Sequence, residues 1–287
     1  MTVKIITDST SYIPDFLLNQ FDISVVSQNV VDEGRCEREL DIDQEKFYEK
    51  LANRNDLPSS SQPSVDEFHE VFENHIKNGH EIVGVFVSSE MSGTYETALM
   101  VKHIILEKYP KAKIELIDSR VNIMQLGFAT LAAARAAKAG KTVSEIIEAV
   151  QRNLKRSRIL FVPETLEYLK RGGRIGTAKA LIGSVLQIKP ILTVKAGKTG
   201  VFSNARTKKR AIEKMVNEFY ENIKEYGLGD VIIHHIHCEK QAKSIADKIG
   251  QKIDKAVGLA PIGPVAGLHV GPGTIGIAYY TKEELNK

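Results

Sequence analysis

The stretch Ile82-Val-Gly-Val-Phe-Val87, followed by Ser88-Ser-Glu-Met-Ser-Gly93, decides the fold of this chain. Its first part is apolar and largely β-branched, as is typical of a strand buried on both faces. The polar turn then leads into a predicted helix, Thr94–Tyr109, and a second buried strand, Ile114–Ile117. This alternation predicts a parallel sheet with helices on both faces.

The same alternation extends outward in both directions from this stretch. The first half adds a strand at Val3–Ile6, and a later hairpin spans Ile191–Ser203. We predict an α/β fold of two α/β domains, residues 1–155 with a parallel sheet and residues 156–287 with a mixed sheet. The helices predicted from apolar spacing, capping residues and glycine stops are Gln44–Asn53, Val65–Lys77, Gln125–Ala139, Thr142–Leu154, Thr177–Leu186, Lys208–Tyr226 and Gln241–Val257, and the chain ends in a Gly/Pro-rich segment, Gly263–Gly276.

The composition excludes several classes of protein. Apolar residues make up 43% and charged residues 26% of the 287 residues, which is typical of a globular chain and not of a disordered one. A net charge of +3, with no Trp, gives no indication of nucleic-acid binding. Residues 151–214 nevertheless hold 16 Lys and Arg against three acids. This stretch is either a solvated face or a docking surface for an anionic ligand or acidic partner.

The cysteine content and the hydropathy indicate the cellular compartment of the protein. The two cysteines, Cys36 and Cys238, form no CxxC motif and no disulfide framework, which favours a reducing environment. No run of about 18 apolar residues is present, so we expect no stable membrane insertion. The N-terminus does not resemble a signal peptide, and we expect a cytoplasmic protein.

Several familiar binding motifs are present only in incomplete form. Gly271–Gly276 reads G-x-G-x-x-G, but too few residues follow for the acidic residue of a dinucleotide site. Gly140-Lys-Thr142 and Gly197-Lys-Thr199 lack the upstream glycine of a phosphate-binding loop. His234–His237 contains three histidines, but nothing nearby completes a metal site. We therefore expect no cofactor and no metal.

Hydroxyl and acidic side chains instead collect after predicted strands and before predicted helices. Ser59–Ser64 and Ser88–Thr94 each precede a helix, whereas Asp8-Ser9 and Asp118-Ser119 follow strands. Taken singly, each serine is typical of a helix N-cap. Together they also fit a shared anion pocket, because ligands of open parallel sheets bind outside the carboxyl ends of the strands.

Further motifs occur in order along nearly the whole chain: Thr7-Asp-Ser9, Ser61-Gln-Pro-Ser64, Ser88–Tyr95, Leu166–Gly176, Ile188-Lys-Pro-Ile-Leu192 and His269-Val-Gly-Pro-Gly273. Together they resemble the DegV family of bacterial lipid-binding proteins. The resemblance implies a fold that holds one long-chain fatty acid between an N-terminal and a C-terminal α/β domain. It also implies a role as the binding subunit of a fatty acid kinase, as in members from Gram-positive bacteria, whose catalytic subunit phosphorylates the bound carboxylate with ATP.

The resemblance also implies roles for individual residues. The two hydroxyls that bind the carboxylate fall on Ser60 and Ser92, although the family usually has Thr at the first position. Arg174 and His269 match residues at the mouth of the pocket or in contact with the kinase. The acyl chain would lie in the C-terminal domain, for which Thr177–Leu186, Ile188–Val194 and Pro261–Ile277 hold suitable apolar residues that core packing explains equally well.

The residues leave a second class of function open. The first interpretation is a non-catalytic fatty-acid-binding protein. A serine-dependent hydrolase or phosphotransferase acting on a lipid or small anionic metabolite, with Ser92 as nucleophile, is the alternative. A bound fatty acid would favour the first, and labelling by a serine-directed phosphonate the second.

Overall fold

The computed structural model describes residues 2–52, 54, 56–182 and 188–286. The chain forms two compact parts, unit 1 (Met1–Asp41 and Ser60–Leu154) and unit 2 (Ile42–Ser59 and Lys155–Lys287). The expected division placed residues 42–59 in the N-terminal domain, whereas this segment packs with unit 2. One cause is Tyr48, whose buried hydroxyl donates its one proton to a hydrogen bond shared by the carbonyls of Ile262 and Gly263, at 2.7 and 2.8 Å.

The described strands and α-helices follow the predicted alternation over most of the chain. The strands are β1 (Val3–Asp8), β2 (Ser24–Val26), β3 (Asn29–Asp32), β4 (Arg35–Arg38), β5 (Ser59–Ser61), β6 (Glu81–Phe86), β7 (Ile114–Asp118), β8 (Ser157–Val162), β9 (Lys189–Lys195), β10 (Lys198–Ala205), β11 (Leu228–His235), β12 (Gly258–Pro261) and β13 (Ile275–Thr281). The α-helices are α1 (Asp15–Phe21), α2 (Gln44–Ala52), α3 (Val65–Lys77), α4 (Thr94–Lys108), α5 (Ile123–Lys138), α6 (Val143–Arg156), α7 (Glu167–Arg171), α8 (Lys208–Tyr226), α9 (Glu239–Ile253) and α10 (Pro264–Val270).

Unit 1 is built on a parallel sheet of order β2-β1-β6-β7. Ile6, Ile82 and Phe86 share one buried core with side chains of α3 and α4. The alternate strand residues Ile5 and Val83 point to the opposite face, because strand side chains alternate, and α5 packs on β1 and β6. The sheet is therefore covered on both faces, which explains its continuous apolar strands. A small sheet of order β4-β3-β5 contains Ser60 in its β5 strand.

Unit 2 is built on a mixed sheet of order β10-β9-β8-β13-β11-β12, in which β11 and β12 are the parallel pair. Phe219 and Met215 of α8 pack against the sheet with Tyr279 of β13. The parallel sheet of unit 1 and the mixed sheet of unit 2 confirm the predicted fold class.

The segment predicted as helix Thr177–Leu186 differs from the prediction. A 3₁₀ helix spans Gly176–Leu181, and residues 183–187 lie outside the described residues. At Gly176 the backbone φ is +52°, and a Cβ there would lie 2.1 Å from the carbonyl oxygen of Thr199. Close packing against β10 therefore overrides the regular helical spacing.

Candidate functional site

The strand order of unit 1 determines where a polar site forms. The chain leaves β1 for β2 on one side and later returns to β6 on the other side of β1. Loops that leave neighbouring strands in opposite directions open a crevice at the carboxyl edge of the sheet. Asp8 and Ser9 lie at this point after β1, and the loop 88–93 lies there after β6.

The loop 88–93 is held by its own backbone. The amide of Ser88 donates to the carbonyl of Val121 at 2.9 Å, which ties the loop to the segment after β7. The amides of Met91 and Ser92 donate in turn to the carbonyl of Ser88, at 2.9 and 3.1 Å. Gly93 then occupies the N-cap position of α4 without a side-chain cap. The Ser92 hydroxyl therefore lies one residue ahead of the helix in a defined turn.

The Ser92 hydroxyl has partners of a different kind from a helix cap. Its Oγ lies 2.8 Å from Thr94 Oγ1 and 3.4 Å from Gln28 Oε1, and the residue is half-buried. Ser64, by contrast, accepts a 3.1 Å hydrogen bond from the amide of Glu67 and caps α3. The N-cap interpretation is therefore right for Ser64 and wrong for Ser92.

Ser60 lies in β5 and is also half-buried. Two residues later, the carbonyl of Gln62 accepts a 3.0 Å hydrogen bond from Asn29 Nδ2. The Gln62 amide group lies against Gly93, where a Cβ would be 3.4 Å from its Cδ and Oε1. The structure thus brings the segment that carries Ser60 beside the loop that carries Ser92.

A buried polar network supports this edge of the sheet. Asp8 is fully buried and accepts hydrogen bonds from the amide of Val87 and from Gln28 Nε2. Burial raises the pKa of the Asp8 carboxyl, although its hydrogen bonds oppose the shift. Glu39, also buried, accepts from the hydroxyls of Ser9 and Tyr12. Sequence reasoning missed Gln28 and Glu39, because neither belongs to a motif or lies close in sequence to its partners.

Arg174 and His269 come together within unit 2 around Gly172. Arg174 is exposed, and its Nη1 donates to the carbonyl of Gly172 at 3.0 Å. The His269 ring packs so closely on Gly172 that a Cβ there would lie 2.3 Å from Nδ1. Burial, with a contribution from the charge of Arg174, lowers the pKa of His269 to about 4. The imidazole is therefore neutral at neutral pH.

The other motifs fall into plain structural roles. Gly271–Gly276 follows α10 and runs into β13, whereas a dinucleotide motif would lead into a helix. His234 is buried and its Nδ1 donates to the carbonyl of Ala260 at 2.9 Å. Over the described ranges, no three His, Cys, Asp or Glu side chains are placed to hold a metal ion. No helix in the described part of the chain has the length and apolarity to span a bilayer.

Comparison with known proteins identifies the family of this chain. The family model described as "Uncharacterised protein, DegV family" matches residues 2–282. The chain belongs to the DegV family. A DegV domain-containing protein of Clostridium acetobutylicum is 50% identical over 99% of this chain and 100% of its own length. Protein DegV of Bacillus subtilis is 30% identical, with 98% and 100% covered.

Solved structures of DegV-family proteins extend the likeness to the fold. The crystal structure of DegV from Bacillus subtilis, a fatty acid binding protein, superposes with a TM-score of 0.87 at 30% identity, covering 98% of this chain and 100% of that one. A stearic acid-binding protein from Eubacterium ventriosum gives a TM-score of 0.90 at 25% identity, with 98% of each chain covered. Structural neighbours of this chain therefore bind fatty acids.

Proposed function

We propose that this DegV-family protein binds one long-chain fatty acid, whose carboxylate accepts hydrogen bonds from the hydroxyls of Ser60 and Ser92. The observation that carries the proposal is the position of Ser92. Its half-buried hydroxyl lies at the switch point of the parallel sheet and, in the described structure, has Thr94 and a long contact to Gln28 as its partners. The fatty-acid-binding neighbours with the same fold support this choice of ligand.

Elementary energetics fit this ligand. A carboxylate taken out of water needs several hydrogen-bond donors, since an unpaired buried charge is very costly. Two hydroxyls and the positive end of the α4 dipole meet that need without a salt bridge. An acyl chain of about 14 buried methylenes contributes roughly 11 kcal/mol before association costs, at about 0.8 kcal/mol each. The head group then fixes orientation, and the chain supplies most of the affinity.

We further propose that the bound acid is the substrate of a partner kinase, with this protein as the non-catalytic subunit. A carboxylate oxygen attacks the γ-phosphorus of ATP, the bond to the bridging oxygen breaks, and ADP leaves an acyl phosphate behind. Neutral hydroxyl donors leave more charge on the carboxylate oxygen than an arginine pair would. Lys170, Arg171 and Arg174 are exposed and offer positive charge to an acidic kinase surface or to ATP.

Fatty-acid binding is tested by native mass spectrometry and lipid extraction of the purified protein. A fatty acid should co-purify with the wild type, and Ser92→Ala should bind it about 10- to 150-fold more weakly, as expected for the loss of a hydrogen bond to a charged group. Ser89→Ala is the matched control, because its hydroxyl in the same loop donates to Asp118 at 2.6 Å. Unchanged binding and phosphorylation in Ser92→Ala would refute the assignment.

The kinase interaction is tested by a charge reversal. Arg174→Glu should reduce the rate of phosphorylation by the partner kinase more than it reduces fatty-acid binding. Lys243→Glu, at an exposed position of α9, makes the same change in net charge and should leave both unchanged. Equal losses in binding and phosphorylation for Arg174→Glu would count against a kinase-contact role.

The alternative, a Ser92 nucleophile, requires a general base. Within the described residues the Ser92 hydroxyl is paired with a hydroxyl and an amide oxygen, and neither group accepts a proton at neutral pH. A serine-directed phosphonate probe should therefore leave Ser92 unlabelled. Stoichiometric labelling of Ser92 would favour the hydrolase over the binding protein.

A further inference from the structure

The buried carboxyl of Asp8 is a fixed acceptor at the carboxyl end of β1. It accepts hydrogen bonds from the amides of Thr10 and Val87 at 3.0 and 2.8 Å, and from the Thr10 hydroxyl. It also accepts from Gln28 Nε2 at 3.1 Å. Both Asp8 oxygens act as acceptors in these contacts, and the side chain is completely enclosed. Its neighbours must therefore present donors to it.

Gln28 is held at both its backbone and its side chain. Its backbone amide donates to Ser9 Oγ at 3.0 Å, and only 3% of the residue is exposed. Because Nε2 is committed to Asp8, the orientation of the side-chain amide is determined, and Oε1 must point the other way. That oxygen lies 3.4 Å from Ser92 Oγ. An acceptor with a fixed direction thus faces the proposed carboxylate-binding hydroxyl.

We propose that Gln28, oriented by Asp8, is the positioning residue for the Ser92 hydroxyl. This inference rests on the proposed function and adds a residue to it. Gln28 Oε1 holds the Ser92 hydroxyl in one rotamer while the site is empty. A contact of 3.4 Å is at the long limit of a hydrogen bond. The hydroxyl therefore turns to an arriving carboxylate at little cost, while Thr94 Oγ1, 2.8 Å away, keeps Ser92 Oγ in place.

Gln28→Glu gives a readout that a purely structural role would not give. The substituted carboxylate would lie about as close to Asp8 as the amide does now, and two carboxyl groups at this distance share one proton. While the proton is shared, the bridge to Ser92 survives. When both groups ionise at higher pH, the substituted carboxylate holds the Ser92 proton more strongly and repels the carboxylate of the ligand, so binding weakens.

The experiment uses protein stripped of co-purified lipid and measures the dissociation constant of 11-(dansylamino)undecanoic acid by fluorescence at pH 6 and pH 8.5, each variant relative to wild type at the same pH. Gln28→Glu should bind within about twofold of wild type at pH 6 and about tenfold more weakly at pH 8.5, a difference of about 1.4 kcal/mol. Gln28→Met, which has a similar shape but no acceptor oxygen, removes a weak contact that only the empty site makes, and should bind as tightly as wild type or up to about threefold more tightly at both pH values.

Other titratable groups near this network are common to all variants. Glu39 accepts from the Ser9 and Tyr12 hydroxyls, and Glu67 accepts from Arg38 and the amide of Ser27. These groups, and Asp118 beside Ser89, are the same in every variant, so each variant is compared with wild type at the same pH. Gln20→Glu, exposed on α1, is the control for the added charge and should bind as wild type does at both pH values.

The outcomes separate two failures. If the wild type binds the probe but Gln28→Glu binds equally well at both pH values, or Gln28→Met binds clearly more weakly than wild type, the positioning role is wrong and the proposed function stands. The same conclusion follows if Gln28→Glu is weakened equally at pH 6 and pH 8.5. If the wild type itself does not bind the probe, the proposed function fails and this inference fails with it. Thermal unfolding of each variant checks that the fold is retained, and Gln28→Met keeps the test available if Gln28→Glu does not fold.

Discussion

Gly172 is the position at which the structure makes its sharpest quantitative prediction. A Cβ at Gly172 would lie 2.3 Å from His269 Nδ1 and 3.1 Å from the carbonyl oxygen of Tyr168. The φ of Gly172 is −75°, so an alanine there has no backbone strain and its cost is purely steric. To accept the methyl group, the His269 ring must move by about 1 Å, because ordinary contacts begin near about 3.5 Å.

Overpacking of this kind costs about 1–3 kcal/mol. For a protein of this size, each kcal/mol lowers the melting temperature by about 2–4 °C, so Gly172→Ala should melt about 2–12 °C below wild type. The assay is thermal unfolding followed by circular dichroism. Gly173→Ala is the comparison variant, since a Cβ at Gly173 meets no atom within 4 Å and the substitution costs only the strain of its φ of +70°.

A double-mutant cycle with His269→Ala identifies the cause of the loss. Removing the ring should recover at least about 1 kcal/mol of the cost of Gly172→Ala, whereas Gly173→Ala and His269→Ala should be additive within about 0.5 kcal/mol. If Gly172→Ala costs the same with and without the ring, the steric explanation is refuted. The close packing of His269 on Gly172, and with it the placing of His269 beside Arg174, would then have to be abandoned.

Two further predictions concern unit 2, and urea denaturation measures both. Tyr48→Phe removes the one hydroxyl donor that the carbonyls of Ile262 and Gly263 share and should lower the free energy of unfolding by about 1–3 kcal/mol; an unchanged midpoint would mean that α2 is held in unit 2 by other contacts. Burial lowers the pKa of His234 to about 4. The unfolded state therefore binds more protons than the folded state between pH 6.5 and pH 4, and the free energy of unfolding falls by about 3 kcal/mol as the pH drops through that window. This contribution to stability is fully present above pH 6.5. His234→Asn keeps a donor toward Ala260 but does not titrate, and should lose correspondingly less stability on acidification; an equal loss in both proteins would contradict this cause.

Regular spacing accounts for the elements that the sequence predicts well. α3 and α8 have the predicted bounds, because each begins at a side-chain cap and carries an apolar face. β13 was missed, although it lies between β8 and β11 in the sheet. Its strand signal was hidden by the preceding glycines. At Gly276 the packing is tight, since a Cβ would lie 3.3 Å from the carbonyl oxygen of Leu160.

The candidate site was predictable only in part, for a topological reason. Local sequence indicates that Asp8-Ser9 and Ser88–Thr94 follow strands, but not that β1 and β6 are neighbours. Strand order depends on how two helical crossovers pack, and no residue of either strand specifies it alone. Gln28 illustrates the limit. It bridges Asp8 and Ser92, which are 20 and 64 residues away along the chain.

Gly93 explains why two similar serines have different roles. Ser64 is followed directly by α3, and its hydroxyl oxygen accepts the hydrogen bond of the Glu67 amide. Ser92 is followed by Gly93, which takes the N-cap position of α4 itself. Glycine is acceptable at an N-cap at a cost of only a few tenths of a kcal/mol relative to serine. At this small cost in helix stability, the Ser92 hydroxyl lies outside the helix and contacts Thr94 and Gln28, which is the position that the proposed carboxylate contact requires.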